Sequence, residues 1–382
     1  SICGEFTISC SACAFALFEF QPGVAIMKMR KMMKPFERLD QMTRPGGLME
    51  ELDEGGLRCL ACAHRCLLKP GRRGICGVRY NHAGVLMVPE GYVAGVQVDP
   101  IEKKPFNHFL PGSQVLTFGM LGCNFHCRFC QNWFSSQALR DPAAGKALES
   151  FKAIFAERLV QFALDHGAEA IASSYNEPLI STEWAVEVFR IARQKGLKTA
   201  YVSNGFATPE ALDYLAPWLD SYKVDLKSMR DSEYRKMGGR LQPVLDTIKR
   251  IKEMGLWLEV VTLVIPGLND TTEELWELSR YLVSVSADIH WHVTAYHPDY
   301  KEDAPPTPAS TLQRAAEIGQ EAGLHFVYAG NLPGRVGSLE DTFCPHCGKV
   351  LISRHGYIMS GYHISAAGEC AFCRQAIAGV WG

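Results

Sequence analysis

Residues 115–132 read VLTFGMLGCNFHCRFCQN, an apolar segment followed by a loop with three cysteines. The first five residues of this stretch predict a β-strand that ends just before the loop. Cys123, Cys127 and Cys130 have the spacing Cys-x3-Cys-x2-Cys. Three thiolates can each bind one iron of an iron–sulfur cube and leave the fourth iron open, so we interpret the loop as a cluster site. The alternatives are a zinc site completed by His126 and reduced core cysteines.

Predicted strands and helices alternate along the rest of the chain. The further strands cover residues 169–175, 198–203, 222–226, 257–265, 289–296 and 325–329. The helices cover residues 151–166, 181–195, 209–215 and 309–322, with helical segments before Gly255 and after the capping box at Thr271. This alternation predicts an α/β fold with a parallel sheet and a site at the carboxyl ends of its strands. Six or seven strand–helix units favour a barrel, either complete or incomplete, over a doubly wound sheet.

Composition excludes several classes of protein. The chain has 39 basic and 41 acidic residues, so it lacks the positive field that would gather nucleic acid or an anionic membrane. No apolar run reaches the length of a membrane helix. Its 14 cysteines include several pairs separated by two residues, a spacing typical of metal ligands in a reducing compartment. We therefore expect a cytoplasmic, metal-binding protein.

Two further cysteine groups lie outside the loop. The C-terminal pairs, which are Cys344 with Cys347 and Cys370 with Cys373, are typical of a closed structural zinc site, with a redox pair or an auxiliary cluster as alternatives.

The second group lies near the start of the chain and consists of Cys59, Cys62, Cys66 and Cys76. These four thiols predict a second metal site, and both zinc and a second iron–sulfur cluster are compatible with their spacing.

The chain divides into four predicted regions. Residues 1–48 have no regular helical or strand period, and we expect a disordered or non-native extension with the true start at Met42 or Met49. Residues 49–112 form a Cys-rich module, residues 113–331 the barrel, and residues 332–382 a zinc-ribbon-like module.

The cysteine loop, with Phe129 just before its last cysteine, resembles that of the radical S-adenosylmethionine (radical SAM) superfamily. Other segments carry the resemblance in the same order: ASSYNEP, VSNGF, KVDLKSMRDSEYRKMGG, EVVTLVIPGLND, HVTAYHPDY, FVYAGN and FCPHCGK. The sequence is similar in particular to the radical SAM member of the AmmeMemoRadiSam system, itself similar to pyruvate formate-lyase-activating enzymes. This resemblance spans about residues 57–382. It implies a partial (β/α)6 barrel and a 4Fe–4S cluster whose unique iron chelates the amino and carboxylate groups of S-adenosylmethionine.

The resemblance also implies roles for single residues. The three loop cysteines would bind the cluster, and Phe129 would pack near the adenine. Glu177 would help position the methionine amino group, and Lys227 would meet the methionine carboxylate, to which its ammonium is complementary. The other matched cofactor-binding positions are Asn176, Ser203, Asn204, Asp225, Ile265 and Pro266, of which the last two would cover the nucleoside.

The sequence departs from activating enzymes at two places. Tyr175 and Asn176 occupy the positions of paired glycines, and Val202 occupies that of an Asp. These changes weaken the fit to a glycyl-radical activase and leave the fit to a radical SAM enzyme intact. His292 and His297, near the last barrel strands, are further candidates for facing a substrate, with an ordinary core or surface position as the alternative.

We therefore predict a radical SAM enzyme that cleaves S-adenosylmethionine reductively and abstracts hydrogen from an unidentified substrate. One alternative is a glycyl-radical-enzyme activase acting on a protein glycine. Another is a zinc-binding scaffold or adaptor with a degenerate barrel. The expected partners are a flavodoxin- or ferredoxin-like electron donor, a substrate that could be a protein, and the Memo-like and AMMECR-like proteins that the resemblance implies.

Overall fold

The computed structural model describes residues 35–382. Predictions for residues 1–34, including the absence of a function for Cys3, Cys10 and Cys13, lie outside the described residues. Residues 35–48 were expected to belong to the extension, and here the structure differs. They form a short helix and a strand, with Leu39 and Leu48 buried in the main core. The packed part of the chain therefore begins before the predicted boundary.

The N-terminal module contains small antiparallel sheets. Its strands β1, β6 and β5 form one sheet, and β2, β3 and β4 form another. The elements are α1 (Pro35–Asp40), β1 (Thr43–Pro45), β2 (Met49–Glu51), β3 (Leu57–Cys59), β4 (Leu67–Leu68), β5 (Tyr80–His82), β6 (Val85–Pro89) and β7 (Tyr92–Val93). Cys59 lies at the end of β3, and Cys62 and Cys66 lie on the turn that follows.

An eight-stranded sheet forms the body of the described chain. Seven strands are parallel, and β8 joins them antiparallel to β9 at one edge. The strands are β8 (Gly95–Pro100), β9 (Gln114–Gly119), β11 (Ala170–Ser173), β12 (Lys198–Ser203), β13 (Ser221–Asp225), β14 (Trp257–Val264), β15 (His290–Ala295) and β16 (Val327–Gly330), while the short β10 (Lys152–Ala153) pairs with β7. The parallel strands neighbour one another in strict chain order.

This order decides between the two predicted folds. A doubly wound sheet reverses its strand order at a switch point, whereas sequential right-handed crossovers keep the helices on one side of the sheet. The helices are α2 (Trp133–Ser136), α3 (Ala147–Ser150), α4 (Ala156–Asp165), α5 (Thr182–Gln194), α6 (Pro209–Leu215), α7 (Asp231–Lys236), α8 (Gln242–Glu253), α9 (Thr272–Val285) and α10 (Ala309–Glu321). Within residues 35–382 no pairing joins β8 to β16, so the barrel is partial. The predicted fold class is confirmed.

Two local predictions need correction. The helix expected over residues 151–166 begins later, because residues 152–153 pair with β7. The buried face of α4 consists of Ala156, Leu159, Val160 and Ala163, whereas Phe155, which precedes the helix, is 77% exposed.

The predicted capping box at α9 is only half formed. The Glu274 N–H donates to Thr271 Oγ1 at 3.3 Å. The Glu274 carboxylate instead accepts from Ser228, from the Met229 N–H and from Arg230, so it ties α9 to the loop after β13.

The predicted boundary between residues 112 and 113 falls inside the large sheet, because β8 pairs with β9 along its whole length. The segment between these strands also enters the barrel. Phe106 and Phe109 are fully buried against Ala172 and Ala200 and fill the end of the barrel interior opposite the site. The N-terminal module and the barrel are thus continuous.

The C-terminal module packs on the last barrel strands. Its sheet has the order β17–β18–β19, and its core includes Phe326 and Tyr328 from the barrel side. The strands are β17 (Thr342–Phe343), β18 (Val350–His355) and β19 (Ile358–Tyr362). Among the helices of residues 35–382, none has the length and apolar character needed to cross a membrane.

A buried ion pair ties the N-terminal module to the barrel. Arg79, 1% exposed, donates from Nη1 and Nη2 to both carboxylate oxygens of Glu183 at 2.6 and 2.7 Å. Glu183 is 3% exposed and lies in the first turn of α5. Removing one partner of such a pair leaves the other as an uncompensated buried charge.

We predict that Glu183→Gln lowers the free energy of unfolding by about 3–5 kcal/mol, because Arg79 stays charged and loses its counter-ion. Urea unfolding of the purified protein measures the change. The matched control is Glu50→Gln, which removes the partner of exposed Arg58 and should cost about 1 kcal/mol or less. Equal losses in the two variants would contradict the role assigned to the buried pair.

Candidate active site

The carboxyl ends of the parallel strands surround a cavity of about 430 Å³. Its wall contains every residue predicted for cluster and cofactor binding except Ile265 and Pro266. These residues come from the ends of β9, β11, β12 and β13, which are far apart in sequence. Parallel strands end at one edge of a sheet, so the fold gathers these side chains around one space.

The cysteine loop between β9 and α2 forms one side of the cavity. Cys123, Cys127 and Cys130 all line it. The Phe125 N–H donates to Cys123 Sγ at 3.4 Å, and Cys130 Sγ lies 3.3 Å from Ser136 Oγ. Burial raises the pKa of the Cys127 thiol to about 12, although the nearby Lys227 lowers it, and a bound metal would stabilise the thiolate. The donor set of three sulfurs facing one cavity fits an iron–sulfur cluster with one open iron.

His126 lies outside the cavity wall. Its imidazole is against Gly238, where an added Cβ atom would be 2.5 Å from the imidazole Cε1. A zinc site completed by His126 would need this ring beside the thiols, so the described geometry argues against that alternative.

Asn176 braces the cysteine loop. Its Oδ1 accepts from the Met120 N–H at 3.0 Å, and its Nδ2 donates to the Gly122 carbonyl at 3.1 Å. Both partners lie between β9 and Cys123. Asn176 therefore acts on the backbone that leads into the cluster loop.

Tyr175 keeps a glycine-like backbone at the position where activating enzymes have glycine. Its φ is 67°, in the left-handed region that favours glycine. The side chain fits because Gly119 has none: a Cβ there would be 2.8 Å from the Tyr175 Cβ. The Tyr175 ring faces Lys104, whose Nζ is 5.0 Å from the ring centroid. Tyr175 in place of glycine therefore keeps the backbone conformation of the turn but adds an aromatic side chain to the cavity wall.

Glu177 joins the ends of two strands. Its carboxylate accepts from Ser203 Oγ at 2.7 Å, from the Asn204 N–H at 2.7 Å and from the Leu179 N–H at 3.1 Å. Burial raises the pKa of Glu177 to about 7, although these three donors act in the opposite direction. Asn204 Nδ2 in turn donates to Asn124 Oδ1 at 2.8 Å, which extends the contact to the cysteine loop.

A cationic pair flanks Asp225 at the end of β13. Lys227 Nζ lies 3.2 Å from Asp225 Oδ2, and Lys223 contacts the other carboxylate oxygen. Burial favours the neutral acid, but the two ammonium groups lower the pKa of Asp225 to about 2. Lys227 Nζ is also 6.0 Å from the Phe129 ring centroid. A cation, a carboxylate and an aromatic ring thus lie together beside Cys127.

Ile265 and Pro266 are not in the cavity wall. Ile265 is buried in the main core, and its N–H donates to Asn269 Oδ1 at 2.7 Å. The apolar wall comes instead from Val261 and Leu263 of β14. These residues lie on β14, which ends at Val264 just before the predicted pair, and strand alternation could have identified them.

Sequence reasoning missed several other wall residues. Lys223 shares the inward face of β13 with Asp225, and Thr294 faces inward from β15. Lys104 and Tyr357 come from loops outside the barrel motifs, where no local signal marks them, whereas Asn331 ends the FVYAGN segment directly after β16.

A second cavity of about 670 Å³ adjoins the first. The walls of both contain Lys103, Pro105, Gln131, Thr294, Asn331 and Tyr357. The hairpin of β18 and β19 closes the second cavity on the side of the C-terminal module.

Both candidate histidines line this second cavity. His292 Nε2 is 2.6 Å from the buried Glu259 carboxylate, and His297 Nε2 is 3.3 Å from Gln131 Nε2. Neither histidine lines the cavity that contains the cysteine loop.

The C-terminal thiols converge on one point. Within the described part of the chain, Cys344, Cys347, Cys370 and Cys373 are the group of metal-ligand type whose ligand atoms all lie within 4.8 Å of one another. Cys344 Sγ is 3.6 Å from Cys373 Sγ, and Cys347 Sγ is 3.8 Å from Cys370 Sγ. Four thiolates at about 2.3 Å around one tetrahedral ion are separated by about 3.8 Å. The group can therefore hold a single metal ion.

Comparison with known proteins agrees with this geometry. The model of the radical SAM superfamily matches residues 118–282, from β9 to α9. The uncharacterized protein MJ0808 of Methanocaldococcus jannaschii is 36% identical over 328 residues, which cover 85% of this chain and 95% of that protein. The chain belongs to the radical SAM superfamily. The radical SAM assignment predicted from the cysteine loop is thus confirmed.

Other similar proteins are more distant. The pyruvate formate-lyase-activating enzyme of Clostridium pasteurianum is 21% identical over 193 residues, 49% of this chain and 76% of that enzyme. The crystal structure of a radical SAM methyltransferase from Sphaerobacter thermophilus has a TM-score of 0.45 and 15% identity, over 85% of this chain and 87% of that one.

Membership of the radical SAM superfamily makes this protein an enzyme and associates it with a 4Fe–4S cluster and S-adenosylmethionine. The predicted function is confirmed at this level, and the substrate is unidentified. The alternative of a zinc-binding scaffold with a degenerate barrel finds no support. All seven predicted parallel strands are present, and the three thiols line one cavity at their carboxyl ends.

We predict that Asn176→Asp lowers the iron content of the anaerobically reconstituted protein and speeds iron release to a chelator. The carboxylate loses the Nδ2 donor and faces the Gly122 carbonyl, which loosens the cysteine loop. The matched control is Asn269→Asp, because Asn269 makes the same kind of backbone contacts after β14 without touching the loop. Equal iron loss in both variants would indicate a general loss of stability and contradict the bracing role.

Proposed function

We propose that Cys123, Cys127 and Cys130 hold the 4Fe–4S cluster and that S-adenosylmethionine binds in the adjoining 430 Å³ cavity. The observation that carries this proposal is that the three thiols, the buried Glu177 carboxylate and the Lys227 ammonium all line one cavity. When bound, the cluster supplies the electron that cleaves S-adenosylmethionine to methionine and a 5′-deoxyadenosyl radical, which abstracts hydrogen from the substrate.

The chain's own residues would bind and orient S-adenosylmethionine. Lys227 is placed to meet the methionine carboxylate, and Asp225 holds the lysine Nζ at 3.2 Å and keeps it charged. Glu177 would accept from the methionine amino group while it keeps the ends of β11 and β12 together. Phe129, with Val261 and Leu263 opposite, offers apolar surface to the adenine.

The second cavity is the proposed substrate space. It adjoins the first cavity, is large enough for a small molecule or a short peptide segment, and is closed by the C-terminal hairpin. His292 and His297 line it and would contact the substrate rather than S-adenosylmethionine. A glycyl-radical activase is a second candidate, favoured by the likeness to pyruvate formate-lyase-activating enzyme. Val202 in the first cavity and Tyr175 in its turn distinguish this chain from that group.

The further proposals concern metals and partners. The spacing of the four C-terminal sulfurs supports a structural zinc ion that stabilises the wall of the substrate space.

The electron would come from a low-potential flavodoxin- or ferredoxin-like protein. None of the described cysteines is paired in a disulfide, which supports a cytoplasmic location. Memo-like and AMMECR-like partners stay a prediction of the resemblance alone.

We predict that the protein, reconstituted anaerobically with iron and sulfide, produces 5′-deoxyadenosine from S-adenosylmethionine when dithionite is the reductant. Cys127→Ala should abolish this product, because two protein thiolates cannot retain the cluster in its site. Liquid chromatography with mass spectrometry measures 5′-deoxyadenosine, and zinc content shows whether the C-terminal site stays folded. Undiminished product formation by Cys127→Ala would refute the proposed site.

A second prediction concerns binding of the cofactor. Lys227→Met should raise the Kd for S-adenosylmethionine by about 10- to 100-fold, since a hydrogen bond between charged groups contributes about 1.5–3 kcal/mol. Iron content should not change. Isothermal titration calorimetry of the reconstituted protein measures the Kd. Lys236→Met, on the exposed surface of α7, is the matched control and should bind normally. An unchanged Kd in Lys227→Met would contradict the assigned contact.

A further inference from the structure

The four N-terminal cysteines lie on two segments that pack together. The Cys59 N–H donates to the Cys66 carbonyl at 3.0 Å, which closes the turn that carries Cys62. The second segment approaches this turn at Gly74, where an added Cβ would be 3.5 Å from Cys66 Sγ. Cys76 follows two residues later. Cys59, Cys62 and Cys76 are each less than 9% exposed, so the thiols face the interior between the two segments.

A buried cation points at one of these sulfurs. Arg79 Nε donates to Cys59 Sγ at 3.2 Å, while Nη1 and Nη2 of the same guanidinium bind Glu183. A guanidinium has no acceptor, so the sulfur accepts, as a thiolate or a metal-bound sulfur does. The buried Cys59, Cys62 and Cys76 therefore lie beside a buried cation, whose charge is opposite to that of a thiolate-bound metal centre.

The spacing of the sulfurs distinguishes this group from the C-terminal one. The C-terminal sulfurs gather within 4.8 Å, as around one ion, whereas among residues 35–382 no three of the N-terminal sulfurs do so. Within the same residues, the three thiols of the cysteine loop do not gather within 4.8 Å either. Ligands of an iron–sulfur cluster bind different irons and are therefore farther apart than ligands of one zinc ion.

The N-terminal group also touches the catalytic loop. The Cys76 carbonyl is so close to Gly122 that an added Cβ there would be 2.8 Å away. The Arg140 guanidinium donates to the Cys123 carbonyl at 2.7 Å and also to the Ile75 carbonyl. On the other side, His64 Nε2 lies 3.0 Å from the Asn124 carbonyl. The segments that carry the two cysteine groups are therefore direct neighbours.

We propose that Cys59, Cys62, Cys66 and Cys76 hold a second iron–sulfur cluster, ligated by four thiolates and packed directly against the loop of the catalytic cluster. Since all four ligands come from the protein, this cluster has no open iron and does not bind S-adenosylmethionine. Its presence does not depend on the catalytic reaction.

The test uses the full chain with Cys123→Ala, Cys127→Ala and Cys130→Ala combined, which leaves the N-terminal group intact. After anaerobic reconstitution with iron and sulfide, this variant should hold about four irons and four sulfides per chain, or about two of each for a smaller cluster. Electron paramagnetic resonance after dithionite reduction should show a cluster signal that S-adenosylmethionine does not change. Absence of iron, with or without a second zinc ion, would overturn the proposal.

A control separates specific from adventitious iron. Adding Cys62→Ser and Cys76→Ser to the triple variant should remove the remaining iron, and iron that persists would overturn the proposal. The converse variant, with only Cys62→Ser and Cys76→Ser, should keep the catalytic cluster and its response to S-adenosylmethionine. If that variant fails to fold, as its circular dichroism would show, the triple variant still decides the question. Because the iron count needs no S-adenosylmethionine cleavage, its failure is distinct from failure of the proposed catalytic function.

Discussion

The whole site depends on one constraint: the parallel strands of the barrel all end at the same edge. Because these strands are buried on both faces, their backbone hydrogen bonds leave little freedom in register, and the residue after each strand has a fixed position. The cysteine loop follows β9, Glu177 follows β11, Asn204 follows β12 and Lys227 follows β13. No two of these groups are close in sequence, and the sheet alone makes them neighbours.

Buried polar contacts then hold the loops at that edge. Glu177 satisfies three donors from two different turns, and Asn176 binds the backbone on the way to Cys123. On the outside of the barrel, the ion pair of Arg79 and Glu183 attaches the N-terminal module. A buried polar or charged group that loses its partner destabilises the folded protein. The loops are therefore held in the one arrangement that satisfies all of these contacts.

The sequence predicts those parts of the structure that depend on local interactions better than those that depend on contacts between distant segments. Strand periodicity and turn residues located all seven parallel strands within a few residues but not the antiparallel β8, and Thr208 and Thr271 cap the helices that they precede. Errors arose where tertiary contacts override local pattern. Residues 152–153 form a strand because they pair with β7, and the apolar wall of the cavity comes from Val261 and Leu263 rather than from Ile265 and Pro266.

What could not be predicted lies mainly outside the barrel motifs. Tyr357 reaches the cavities from the hairpin of the C-terminal module, and Lys104 comes from the segment between β8 and β9. Their positions follow from how modules pack, which no spacing in the sequence encodes. If three thiolates hold the cluster, one iron is left free for S-adenosylmethionine. Electron–nuclear double resonance on the reduced protein with ¹⁷O-carboxylate-labelled S-adenosylmethionine measures whether the cofactor binds that iron. We expect a strong ¹⁷O coupling to the cluster, and the absence of this coupling with S-adenosylmethionine bound would contradict the proposed site.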